Sequence, residues 1–312
     1  MTTRMRRPIA TSVVALLISF CCGGGVPAAA LPPAVEAPQS PAEASVALPD
    51  EKGSLKFVVL GDFGTGGRGQ YALAAEMARF HERFKFDLVV TVGDNVYGLE
   101  RPADFKRKFE DPYKPLLDAG VKFYAVLGNH DAREQRSYEL FNMGGKFYYS
   151  FKAPSGRVRF FMLDSTYRVP EEIDWLEKEL KGSRDEWKIA VFHHPLYSSG
   201  GRHGSDLKLR ETLEPLFVQY DVSVAFTGHD HVYERIKPQR GIVHFIVGSG
   251  GQLANGDIDK SSALTAKGFD TDNVFLAVEI SGDKMYFNGI SSDGRVIDSG
   301  IIERRVPAGS VQ

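Results

Sequence analysis

The chain has 312 residues, of which 43% are hydrophobic and 25% charged, a globular composition that excludes wholesale disorder and collagen-like repeats. Its 38 Lys+Arg against 40 Asp+Glu leave a net charge of -2, so no basic excess points to a nucleic acid duplex as partner. The two cysteines, Cys21 and Cys22, are adjacent, which excludes a disulfide framework.

Arg4, Arg6 and Arg7 precede an apolar run over 9–20, and Ala28-Ala29-Ala30 follows. This order is that of a secretory signal peptide occupying 1–30. The run is about a dozen residues, short of the roughly 20 that cross a bilayer, so no membrane span is expected. Cys21 leaves a lipid anchor open as the alternative. The expected location is periplasmic or secreted. Residues 31–52 are dominated by Pro and Ala without apolar periodicity and read as a disordered linker. The folded domain is expected over 53–305, with 306–312 a tail.

Within the domain, short apolar runs at 55–60, 87–92, 121–127, 159–164, 188–192 and 222–227 read as buried strands. Helical patterns at 69–84, 104–119, 171–180 and 207–220 lie between them. Strand alternating with helix predicts βαβ units and a largely parallel sheet. Past residue 240 the pattern changes to short strands at 241–247, 274–280, 284–290 and 296–303, some joined by tight turns, and these are expected to be antiparallel. The fold class is therefore α/β: a four-layer αββα sandwich, two mixed sheets packed face to face with helices outside, the first strands and helices forming one half and the β-rich end of the chain the other.

The strand ends carry the chemistry. Asp62, Asp94, Asn129, His193 and His229 each follow a predicted strand, and ligands in parallel α/β sheets gather at the carboxyl ends of strands. The five are expected along one edge of one sheet, with Tyr97 and His231 just beyond. Singly, each has an ordinary reading as a turn former, helix cap or satisfied histidine. Together they offer carboxylate, amide, imidazole and phenol but no thiolate, a donor set for hard or borderline metal ions. Seven donors exceed one tetrahedral ion and suit two ions bridged by a carboxylate, the arrangement used for displacement at phosphorus. His81 and His244, outside this set, read as structural.

Gly61-Asp62-Phe63-Gly64, Gly93-Asp94-Asn95-Val96-Tyr97, Gly128-Asn129-His130-Asp131, His193-His194-Pro195 and Gly228-His229-Asp230-His231 resemble, in order, the five blocks of the calcineurin-like metallophosphoesterases. Asp62 followed by Gly64, and Tyr97 three residues after Asp94, resemble the purple acid phosphatase branch. The fourth block departs from the family pattern by Ala190 at its usual valine. The resemblance implies two metal ions: Fe3+ held by Asp62, Tyr97 and His231, and Fe2+, Zn2+ or Mn2+ held by Asn129, His193 and His229, with Asp94 bridging. It implies catalytic roles for His130 and His203, with His194 beside them. It also implies a small phosphate-ester substrate, a monoester attacked by a metal-bound hydroxide. A phosphodiesterase or nucleotidase on the same site is the alternative, a metal-binding protein without turnover is a third reading, and the oligomeric state stays open.

Overall fold

The computed structural model describes residues 45–154 and 157–305. The expected signal peptide, residues 31–44 of the linker and the tail 306–312 lie outside the described residues. The chain opens with β1 (Leu55–Leu60), α1 (Arg68–Arg83) and β2 (Leu88–Thr91). A helical stretch follows: α2 (Pro102–Phe105), a π-helical turn (Lys106–Glu110) and α3 (Asp111–Asp118). Then come β3 (Lys122–Ala125), β4 (Tyr149–Lys152), β5 (Val158–Met162), α4 (Glu172–Gly182), β6 (Trp187–Val191) and α5 (Leu207–Gln219). β7 (Val224–Thr227), β8 (Tyr233–Ile236), β9 (Val243–Val247) and β10 (Thr265–Phe269) precede β11 (Val274–Ser281), β12 (Lys284–Ser291) and β13 (Val296–Glu303). Among the described residues no helix is long and apolar enough to cross a membrane.

Two mixed sheets result, in the orders β13-β12-β11-β1-β2-β3 and β10-β8-β9-β7-β6-β5-β4. The expected layers are present, but the division between them differs from the one read in the sequence. β11 to β13 do not build a separate half. β11 pairs antiparallel with β1, so the last strands complete the sheet that the first three began. Nor is the 241–247 strand purely antiparallel, since β9 runs parallel to β7 and antiparallel to β8. β4, β8 and β10, absent from the sequence reading, are short edge or near-edge strands with weak apolar patterning.

Alternation along the strands shows how the layers close. On β9, Val243, Phe245 and Val247 enter the core between the sheets, while Ile246 and the preceding Ile242 pack in a second cluster with Leu209, Leu213 and Phe217 of α5. The two-residue period sends alternate side chains to opposite faces. On the outside of the first sheet, Leu73, Met77 and Phe80 of α1 recur at helical spacing and bury themselves in the core.

The folded part starts earlier than the composition indicated. Residues 45–52, expected in the linker, are tied to the first sheet because buried Glu279 on β11 accepts the amides of Asp50 and Glu51 at 2.7 Å each and the Ser54 hydroxyl at 2.7 Å. Val46 donates to Ser299 Oγ at 2.9 Å and Leu48 packs on the core. A buried carboxylate needs such donors, and here they come from the incoming chain.

His244 shares the helix-facing side of β9 with Ile242 and Ile246. It is buried, and neither ring nitrogen has a hydrogen-bond partner among the described residues. Burial, with Arg210 as a smaller cause, pushes its pKa down to about 3. The unfolded chain takes up this proton near pH 6.5, the folded chain only far lower, so stability falls as pH drops through that window. His244→Phe is expected to stabilise the protein by about 1–3 kcal/mol at pH 8, by removing two unsatisfied polar atoms. The advantage should grow by about 1.4 kcal/mol per pH unit below 6.5. Urea melts at pH 8 and pH 5 measure both quantities, and an equal advantage at the two pH values would refute the assignment.

Candidate metal centre

The carboxyl ends of β1, β2 and β3 in one sheet and of β6 and β7 in the other meet along a shared edge. The candidates therefore do not line one edge of one sheet, as the sequence reading had it, but face each other across the seam between two. Asp62, Asp94 and His229 take left-handed backbone conformations with φ of 54°, 52° and 72°. Such φ values are unfavourable for residues other than glycine and tend to persist at functional sites. They turn each chain sharply as it leaves its strand.

Two of the glycines at these strand ends, Gly128 and Gly228, are explained by crowding. A Cβ on Gly228 would lie 2.3 Å from Asp62 Oδ2, and one on Gly128 would lie 2.1 Å from Asp94 Oδ1. Neither position has room for a side chain if the carboxylates are to converge.

The converging atoms form a continuous set. His193 is fully buried, and its Nδ1 lies 2.8 Å from Val92 O, so that nitrogen carries the hydrogen and Nε2 presents a lone pair. Nε2 faces Asn129 Oδ1 at 3.0 Å, His229 Nδ1 at 3.2 Å and Asp94 Oδ1 at 3.5 Å. Beside it, the Tyr97 hydroxyl lies 3.3 Å from Asp62 Oδ1 and 3.2 Å from His231 Nε2. Asp62 also accepts the His229 amide at 3.1 and 3.2 Å to its two oxygens. Asp94 Oδ1 accepts the His130 amide at 2.9 Å, while Asp94 Oδ2 is buried without a partner among the described residues.

The electrostatics of this volume favour a positive charge within it. Burial, then Asp94, raises Asp62 well above the usual carboxylate range. Burial, then the carboxylates of Asp62 and Asp94, raises the Tyr97 phenol. Burial lowers His193, and burial with neighbouring imidazoles lowers His229 to about 2. His231 is pushed down to about 4, chiefly by burial. Acids that resist ionising and imidazoles that resist protonation share one small volume, and a bound cation would relieve both. Two groups among these residues bring their donor atoms within 4.8 Å of one another: Asp62, Asp94 and His193, and His193, His194 and His229. The orphaned oxygen of Asp94 and the hard-to-borderline donor set fit divalent or trivalent ions.

The three remaining candidates surround this volume. His130 is exposed, its ring centre 5.0 Å from that of Tyr97. His203 is exposed, its ring centre 4.1 Å from that of His229. His194 lies 4.4 Å from His229 by the same measure, and its Nδ1 is 2.9 Å from Ser165 Oγ. Its pKa is pushed down to about 4, first by burial and then by His193.

A sequence model of the calcineurin-like phosphoesterases matches residues 55–233, the span that contains every one of these groups. The chain belongs to that family. It is similar to purple acid phosphatase 17 of Arabidopsis thaliana, at 32% identity over 66% of this chain and 71% of that one. It is also similar to purple acid phosphatase 7 of the same plant, at 30% identity over 81% of this chain and 87% of that one. In fold it resembles a purple acid phosphatase from yellow lupin seeds, with a TM-score of 0.67 and 22% identity, covering 84% of this chain and 55% of that one. The phosphoesterase is thus of the purple acid phosphatase branch, a metal-dependent hydrolase of phosphoric esters.

Several residues that position the phosphoesterase site escaped the sequence reading. Asp131 is buried and accepts the amides of Asn95, Val96 and Gly128 at 3.0, 3.0 and 2.8 Å, locking the second motif to the third. Burial, then Asp94, raises its pKa. Ser165, which follows β5, accepts the amides of His193 and His194 at 3.1 and 3.0 Å. The amides of Gly251 and Gln252 hold Asp62 O at 3.1 and 2.9 Å. Asp230 turns away from its two histidine neighbours and accepts Ser198 Oγ at 2.5 Å and the Gly204 amide at 3.5 Å, gripping the loop that carries His203. Asp131 and Asp230 stand inside the motifs, but nothing in a motif says which way a carboxylate points.

Gly228→Ala is expected to displace the Asp62 carboxylate while leaving the sheets intact. The variant should keep its circular dichroism and lose more than about half of its metal by elemental analysis. Full metal content would contradict the crowding argument.

Proposed function

We propose that the protein is an exported phosphatase that hydrolyses phosphate monoesters with two metal ions. The observation that carries this reading is the meeting of Nε2 of His193 with Asn129 Oδ1 and Asp94 Oδ1 at 3.0 and 3.5 Å, three acceptors with no hydrogen between them. Beside them, Asp62, Tyr97 and His231 form a second cluster whose contacts run from 3.2 to 3.6 Å. In this reading Asp62, Tyr97 and His231 hold Fe3+, because a phenolate oxygen and a carboxylate favour a trivalent ion. Asn129, His193 and His229 hold Fe2+, Zn2+ or Mn2+, and Asp94 serves both ions.

Bound ions supply charge neutralisation for the phosphoryl oxygens and a lowered pKa for water near neutral pH. The protein's own groups do the rest. His193 is fixed through Val92 O and Ser165, so its lone pair is aimed before any ligand arrives. His130 is exposed beside Tyr97 and is suited to bind a phosphoryl oxygen. His203, exposed above His229, donates a proton to the departing alcohol oxygen, and His194 borders the same space. Export rests on the leader pattern of residues 4–30.

His203→Ala and His130→Ala are each expected to lower kcat on para-nitrophenyl phosphate by about 10²-fold, the usual contribution of a positioned proton donor or charge stabiliser, with metal content unchanged. Wild-type kcat in both variants would refute these roles. The bis ester assayed in parallel should turn over more slowly, and the reverse ranking would favour the phosphodiesterase reading.

Ferric iron on a tyrosinate gives a charge-transfer colour. The purified protein is expected to absorb broadly in the visible, and Tyr97→Phe to be colourless while still binding metal. A colourless wild type holding two zinc or manganese ions would overturn the iron assignment.

A further inference from the structure

A cavity of about 220 Å³ lies between α4 and α5, directly behind the histidine pair. It has a buried interior of Leu163, Leu209 and Leu213 and a rim that includes exposed Arg168, Lys208 and Thr212. No step of the proposed reaction uses it, yet it adjoins the catalytic cleft at three points. Lys208 lines both spaces. Ser165, in the cavity wall, touches His194, in the cleft wall, at 2.9 Å. Arg168, at the cavity rim, forms a salt bridge with Asp206 of the cleft. The cleft itself presents an apolar group, Leu207, which stays 55% exposed in the folded protein.

We propose that this cavity is a leaving-group annex, taking the aliphatic part of the alcohol in an alkyl phosphate whose phosphoryl group occupies the metal centre. The inference rests on the reading of the site as a phosphomonoesterase.

The chemistry of the walls decides the class of occupant. A cationic group would want an ionised floor. Two acids line the cavity, Asp164 and Glu172. Glu172 is buried, and its carboxyl accepts one hydrogen bond, from the Asp164 amide to Oε1 at 2.7 Å. Burial, with Asp164 as a smaller cause, raises it to about 8, so it is neutral near pH 7. Asp164 gives one oxygen to the amides of Thr166 and Tyr167 at 3.0 and 2.8 Å, and its other oxygen is sealed from solvent without a partner among the described residues. Arg168 and Lys208 at the rim disfavour an ammonium. An uncharged apolar chain is what remains. The volume holds about seven groups the size of a water molecule, which matches a chain of roughly six carbons.

Arg168 adds a second sign that the rim is built. Its backbone is left-handed, φ 52°, at a residue with no glycine-like freedom. That turn lets its guanidinium reach Asp206, the residue that caps α5 by accepting the Leu209 amide at 2.9 Å. The salt bridge forms the partition a substrate chain would cross or displace.

The test is a chain-length series of methyl, butyl, hexyl and octyl phosphate on the metal-loaded enzyme. Wild-type kcat/KM should rise by up to about fourfold per methylene as far as hexyl and then level off. Thr212→Phe, at an exposed helix position, should block the rim and flatten the series while leaving methyl phosphate unchanged. Ile173 of α4 also lines the cavity, and Ile173→Ala should enlarge it and move the optimum to octyl, the opposite direction, which general destabilisation cannot produce. A flat wild-type series, or a slope that Thr212→Phe leaves intact, overturns the annex. If methyl phosphate itself is not hydrolysed, the phosphomonoesterase reading fails separately. Calorimetric binding of hexyl phosphate then decides the annex: a loss of about tenfold or more in Thr212→Phe supports it, and equal affinity overturns it.

Discussion

Two buried carboxylates and several imidazoles held deprotonated converge on one small volume, and the rest of the structure is arranged so that they can. Asp62 and Asp94 are 0% and 1% exposed, and among the described residues neither is paired with a lysine or arginine. An isolated buried carboxylate costs several kcal/mol even after the protein relaxes. Protonation relieves one acid but leaves the lone pairs of His193 and Asn129 facing each other. Only a cation at the centre satisfies both kinds of group. The fold therefore holds the site in a geometry that is unfavourable until a metal binds, and metal affinity and fold stability are linked.

Holding such a site open calls for rigidity from several directions. The left-handed turns at Asp62, Asp94 and His229 are each supported by neighbours from elsewhere in the chain. Backbone amides at 251 and 252 hold the carbonyl of Asp62, and the Asp94 carboxylate takes the His130 amide. Asp131 touches no candidate ligand through its carboxylate, yet it fixes three amides from two motifs. Removing that one carboxylate would free both loops together, which is why the second and third motifs act as one mechanical unit. Two packed sheets make this possible, because their strand ends form opposite walls and neither wall can recede without breaking the shared core.

The sequence carried the strands that end in candidate ligands, since each is a short apolar run cut off by a polar residue, in four of the five directly after a glycine. It carried the four layers, because helices and strands alternate so regularly through residue 227. It did not carry the partition into sheets. β11 pairs with β1 across more than 200 positions, and the apolar pattern of 274–280 would suit either sheet equally. Nor did it carry the early start at residue 45, because a Pro/Ala-rich segment shows no periodicity of its own and is held by Glu279, a residue far away in the chain. The ligand candidates were legible through their types and spacing. Ser165, Asp131 and Asp230 were not, because a hydrogen-bonding residue that steers another side chain has the same composition signature as one that simply faces water.

Asp230 shows what that blindness concealed. It sits between His229 and His231, whose rings turn toward the metal centre, and its own carboxylate points the opposite way into the loop 198–204. A Cβ on Gly200 would lie 2.5 Å from that carboxyl carbon, so the loop is pressed directly against it. One short segment therefore sets two things at once: the position of two imidazoles on one side and the height of His203 above His229 on the other. Any movement of the segment that spoils metal binding also moves His203, the proposed proton donor, and a loop displaced by a bulky ligand pulls on the candidate metal site through the same three residues. Chemistry at phosphorus needs both parts within about an ångström of their places, and the alternation of side chains across Gly228-His229-Asp230-His231 supplies that coupling without a further element of structure.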